Sequence, residues 1–185
     1  MKEDLYWIWL SRIENLNKRA LDKLLTRYKS VSNIWKVENA IELMQTGITE
    51  NLGKKIVSKE YKKDLEKYAE YLEKNKIELI TFENKYYPHN LSKIYDPPIS
   101  IYIKGNKEIL NDISIAIIGC RECSEYGKDV TKKFAYQLSA VNINIISGLA
   151  RGIDKYAHIG SLESNIGKTI AVLRHRCGRF RYIPI

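Results

Sequence analysis

Several features that would identify a chemistry at once are scarce or missing in this chain. Cysteine occurs three times in 185 residues, as Cys120, Cys123 and Cys177, too few for a disulfide framework and in keeping with a reducing, cytoplasmic setting. No apolar run approaches the ~18 residues of a membrane span. The opening MKEDLYWIWLSRIENL carries acids and a broken apolar stretch, unlike a secretory leader. Gly119 is followed by Cys120, Arg121 and Glu122, with no glycine until Gly127, so the GxGxxG of a nicotinamide dinucleotide site is absent. Gly167-Lys168-Thr169 has the ending of an ATP-binding phosphate loop, but Leu162 stands where its first glycine is needed. Thr169 also opens an apolar strand, where a phosphate loop opens a helix. Around Cys120-x-x-Cys123 only Cys177, His89, His158 and His175 remain as further ligands, at no recognisable zinc spacing. These absences predict no metal, no cofactor and no membrane contact.

What is present concentrates in residues 113–154. An apolar run, 115–118, ends at Gly119, and Ser124 is placed to cap a following helix. Val130, Phe134 and Leu138 recur at helical spacing and predict its buried face. A second run, 143–146, stops at Ser147-Gly148 and leads into Arg151, Gly152 and Asp154. Strand, glycine turn, helix, strand, glycine turn predicts a doubly wound parallel sheet, whose ligands bind at the carboxyl ends of the strands. Both glycine turns fall there, and each carries one arginine. Gly119, Arg121, Ser124, Gly148, Arg151 and Gly152 are therefore the expected anion site, with phosphate as the ligand. Asp154 is expected to cap its helix and hold Arg151. His158, four residues on, is expected to hydrogen-bond locally and orient the same turn. Cys120 and Cys123 read as small apolar residues of a buried turn rather than a redox pair.

Residues 3–75 read helical, with Leu16, Ala20, Leu24 and Tyr28 spaced by four. Gly47-Ile48-Thr49 ahead of Asn51-Leu52-Gly53 resembles half of a helix-hairpin-helix, but Glu14-Asn15-Leu16-Asn17 at the other half lacks glycines. A bundle like a sterile alpha motif (SAM) is the preferred reading. Composition turns β-rich after Asn75-Lys76, which predicts two domains, 1–75 and 76–185. The fold class expected is α/β: a helical SAM-like N-terminal domain followed by an incomplete Rossmann-like parallel sheet. The net charge of +9 suits a polyanion partner. Much of it, however, comes from the four arginines of residues 174–185, where no acid occurs.

GCRECSEYG at 119–127 and SGLARGID at 147–154 resemble the two signature turns of the DNA-processing protein A (DprA, or Smf) family. Tyr86-Tyr87-Pro88-His89-Asn90-Leu91, Tyr95-Asp96-Pro97-Pro98-Ile99 and Gly167-Lys168-Thr169-Ile170-Ala171-Val172-Leu173 extend the resemblance over about residues 77–173. Cys120 departs from the commoner Gly-Ser-Arg. The resemblance implies a non-catalytic protein that binds and protects single-stranded DNA and helps load the RecA recombinase during natural transformation, working as a homodimer. It also implies that Lys168 contacts DNA; without it, Lys168 is a solvated charge. A rival class is the phosphoribohydrolase enzymes on a related scaffold, but their Pro-Gly-Gly-x-Gly-Thr motif has no counterpart here, since no Gly-Gly dipeptide occurs. A non-functional fragment is the third reading. Up to Leu173 lysine outnumbers arginine 22 to 5, whereas RHRCGRFRYIPI holds four arginines and no lysine. That switch predicts a changed reading frame after Leu173, with the later strands and the dimer contact missing.

Overall fold

A computed structural model describes residues 3–173. The arginine-rich segment, Cys177 and the inferred change of frame lie outside the described residues. The chain divides into two compact units, with the division between Lys107 and Glu108. The compositional switch near Asn75-Lys76 marks instead the entry into the first strand.

In the first unit, α1 (Glu3–Arg12) buries Leu5, Trp7, Ile8, Trp9 and Leu10, residues that point all round its axis. A helix apolar on every side belongs at the centre of a bundle. Around it lie α2 (Lys18–Tyr28), α3 (Val31–Trp35), α4 (Ala40–Met44), α5 (Glu50–Val57), α6 (Lys59–Lys62) and α7 (Leu65–Lys74). Asn17, Ser30, Asn39 and Thr49 start α2 to α5 by accepting a backbone N–H of the first turn on the side chain. Gly53 is buried in α5, and a Cβ there would stand 3.2 Å from the Ala40 carbonyl. The glycine that suggested a hairpin thus lets α5 close against α4. Strands β1 (Ile77–Thr81) and β2 (Ser100–Lys104) pair antiparallel from Ile77↔Lys104 to Thr81↔Ser100, and Ile77, Leu79, Phe82, Ile99 and Tyr102 complete the bundle's core. The connection between them contains α8 (His89–Ser92). Buried Tyr87 closes it by donating its hydroxyl to the Pro98 carbonyl at 2.6 Å, and burial pushes that phenol up to about 12.

The second unit opens on a 3-10 turn (Lys107–Asn111). Strands β3 (Ser114–Ala116), β4 (Asn144–Ser147) and β5 (Thr169–Ala171) form a parallel sheet in that order. Helix α9 (Glu125–Ala140) joins β3 to β4, and α10 (Ile153–Glu163) joins β4 to β5. Both helices pack against each other and against β4 on one face of the sheet, as crossovers of the usual hand running in one direction require. There Ala135 and Ala157 enclose Ile145. This is the expected α/β arrangement, a helical region followed by a Rossmann-like parallel sheet.

The buried face of α9 follows its large residues only in part: Leu138 packs against the core and Val130 is half-buried. Thr131, Ala135 and Ser139 point inward, whereas Phe134 is 58% exposed. The reason is the closeness of the two helices: a Cβ on Gly160 of α10 would lie 2.2 Å from the Lys132 carbonyl. Small residues alone fit that seam, and Ser139 and Ser161 hydrogen-bond across it at 2.7 Å. Ile113, Ile118, Val141, Leu162, Ile166, Val172 and Leu173 are also exposed. No helix of the described residues is long and apolar enough to cross a membrane.

Candidate nucleic-acid interface

The two glycine turns leave the carboxyl ends of β3 and β4 and are stitched together. Ile153 N–H donates to the Cys120 carbonyl at 3.2 Å, and the Ser147 hydroxyl donates to the Ile117 carbonyl at 2.7 Å. Gly152 has φ +85° and ψ −134°, backbone that essentially only glycine adopts. A Cβ there would fall 2.2 Å from the Cys120 carbonyl oxygen and 2.5 Å from that of Arg121. Leu149 also takes a positive φ, +56°, uncommon for so bulky a residue. The second turn is therefore held in costly backbone so that it can lie against the first. Arg151 directly precedes the glycine that touches Arg121's own backbone, so the two arginines spring from adjoining main chain. Both are exposed.

Ser124 caps α9 as expected, accepting the Gly127 N–H at 3.1 Å. Its helix opens from the first turn as α10 opens from the second. Tyr156, on the first turn of α10, has the ammonium groups of Lys128 and Lys155 over its ring at 5.8 and 6.0 Å. These three residues lay outside the sequence-based site. Only their places on two separate helix starts, brought together by the fold, mark them.

Asp154 does something the sequence did not suggest. The N-cap of α10 is Gly152 and has no side-chain cap bond. The Asp154 carboxylate, 6% exposed, instead accepts the Gly119 N–H at 3.3 Å and the Gly148 N–H at 3.1 Å. It ties turn to turn rather than holding Arg151. The amides of Gly119 and Gly148 are consequently spoken for, and cations on the rim are left to attract an external anion. Each bond to a charged acceptor contributes about 1.5–3 kcal/mol.

Three further expectations are revised. His158 does not orient the turn: its Nδ1 pairs with the Thr169 hydroxyl at 2.6 Å, and that hydroxyl donates to the Ile145 carbonyl. Nδ1 is then the protonated nitrogen, and the buried Nε2 has no partner among the described residues. Burial holds the imidazole below its ordinary value, against the opposing charge of Asp154. Cys120 is exposed and Cys123 half-buried, so the first turn is not a buried one. The strand register separates Lys168 from the crevice. Thr169 pairs with Ile145, and the Lys168 N–H donates to the Asn144 side chain at 3.0 Å. Lys168 therefore sits level with the amino end of β4, while the glycine turns leave the carboxyl ends. Among the described residues no cluster of His, Cys, Asp or Glu could hold a metal.

The sequence model of DNA recombination-mediator protein A matches residues 78–180, more than half of the chain. The chain belongs to this family. The recombination-mediator relatives include DNA processing protein DprA of Streptococcus pneumoniae, 44% identical over 87 residues, which are 47% of this chain and 30% of that protein. Protein Smf of Escherichia coli is 34% identical over 135 residues, 73% of this chain and 36% of its own. The X-ray structure of DNA processing protein A from S. pneumoniae superimposes with a TM-score of 0.65 at 28% identity, over 94% of this chain and 58% of that one. The chain spans between 30% and 44% of the length of the curated relatives it matches.

Proposed function

We propose that this recombination-mediator chain binds single-stranded DNA, without turning it over, through phosphate contacts of Arg121 and Arg151. The carrying observation is the pair of stitched turns, whose touching backbones present two exposed guanidiniums at the carboxyl ends of a parallel sheet. Guanidiniums suit phosphate oxygens in geometry and charge. Lys128, Tyr156 and Lys155 border the same helix starts and would add charge and a ring for a flexible strand. Gly119, Gly148 and Gly152 serve by bringing the turns together, and Ser124 by starting α9. Lys168 is left out, being at the other end of the strands. The family's name and its DNA-processing relatives support DNA as the polyanion. Handing the strand to the RecA recombinase in DNA uptake is the role that fits such a binder.

The test is fluorescence anisotropy with a labelled oligothymidylate over a range of salt. Arg121→Ala and Arg151→Ala should each weaken binding and lower the log–log salt slope by about 0.7, the loss of one phosphate contact on a single strand. Wild-type affinity and slope in both variants would refute the assignment. Release of free base or phosphate from common nucleotides would point to the enzyme class instead.

A further inference from the structure

The Asp154 carboxylate lies where glycine-turn amides of the nucleotide-binding type would meet a phosphate. It is a built-in anion. One oxygen takes the amide after β3 and the other the amide after β4. The surroundings leave it little slack: a Cβ on Gly148 would stand 2.8 Å from Oδ2, and one on Gly119 2.6 Å from Ile153 Cγ1. Among the described residues no hydrogen bond joins Asp154 to either arginine, so any effect it has on them runs through the two turns.

We infer that Asp154 is a positioning residue of the strand-binding crevice: its bridge between Gly119 and Gly148 fixes the turns that aim Arg121 and Arg151. The inference rests on the phosphate reading of those arginines. Its signature differs from theirs. Asp154 makes no contact with the strand, so losing it should weaken binding without removing a charge that releases counterions. Asparagine keeps the size but has one acceptor oxygen, and its amide would meet the second N–H donor to donor.

The experiment measures oligothymidylate affinity and salt slope for the full chain, for Asp154→Asn and for Gly148→Ala, alongside Arg151→Ala. Amide hydrogen exchange at Gly119 and Gly148 is followed by NMR. Asp154→Asn should bind roughly tenfold or more weakly with the wild-type slope, and exchange at both glycines should quicken. Gly148→Ala presses on the carboxylate while leaving every charge in place, and should repeat the pattern if the asparagine variant fails to fold. Wild-type affinity in a folded Asp154→Asn chain would overturn the inference, as would a slope lowered as in Arg151→Ala. Unprotected Gly119 and Gly148 amides in the wild type would overturn it without any variant. Absence of strand binding by the wild type, with both amides protected, sinks the phosphate reading and this role with it, an outcome distinct from the others.

Discussion

Replacing Gly152 by alanine puts the stitching of the two turns to its hardest test. The position has φ +85° and ψ −134°, and such backbone costs a residue with a side chain about 1–3 kcal/mol. The added methyl would also meet two carbonyl oxygens, at 2.2 and 2.5 Å, and main chain cannot swing aside as a flexible side chain can. Overpacking of this kind adds roughly 1–3 kcal/mol. Together these approach the whole stability of a unit this small, which at ~0.05–0.15 kcal/mol per residue is several kcal/mol. The unfolding midpoint of the second unit should fall by more than about 10 °C. All the tryptophans, Trp7, Trp9 and Trp35, lie in the first unit, so their fluorescence follows that unit while far-ultraviolet circular dichroism follows both. Gly105→Ala is the control for backbone strain by itself, read from the first unit, where it lies: its φ is +114°, but nothing lies within 4 Å of the new methyl. If Gly152→Ala lowers the midpoint of the second unit by no more than Gly105→Ala lowers that of the first, the close approach of the turns is wrong.

The remaining expectations concern single side chains of the second unit. Phe134→Glu should change stability by less than ~0.5 kcal/mol, as for an exposed position, whereas Ala135→Glu should unfold the unit; equal effects in urea unfolding would mean that α9 is turned the other way. His158 titrates near 6.5 once unfolded and lower when folded. The unfolded chain then binds the proton first, so stability is full above about pH 6.5 and falls as pH drops toward the folded value. Unfolding of His158→Gln across that range should show a flatter pH dependence, and an unchanged one would remove His158 from the account. Cys120 contributes its carbonyl to the stitch while its side chain is exposed, so Cys120→Ser should keep stability and strand affinity within about twofold; a larger loss would give the thiol a role of its own.

Elements with a local cause were legible. Ser124 starts α9 because its hydroxyl meets an amide three residues on, and the apolar runs ending at Gly119 and Ser147-Gly148 became neighbouring parallel strands. What the sequence hid depends on register and close approach. Hydrophobicity chose Phe134 for the buried face of α9. The helix seam admits only Ala135, Ser139 and their kind, because Gly160 brings backbone to backbone. Lys168 follows a turn in the sequence, as Arg121 and Arg151 follow theirs. Its strand begins where theirs end, and the pairing Ile145↔Thr169 puts it at the far edge.

Asp154 shows the same limit most sharply. As a carboxylate in the first turn of a helix it read as a cap, the commonest use of that residue type there. Its two partners come from turns 35 and 6 residues before it, and no spacing rule joins those three positions. Once they are joined, the chemistry of the crevice follows. A glycine turn that offers its amides outward cradles a single phosphate, which is what a nucleotide cofactor needs. Here a buried carboxylate fills the cradle, and under the proposed function recognition passes to the exposed guanidiniums at the rim. That arrangement suits a repeating chain of phosphates more than one fixed group. It also adds a physical reason, beside the absent glycine fingerprint, to expect no dinucleotide at these turns.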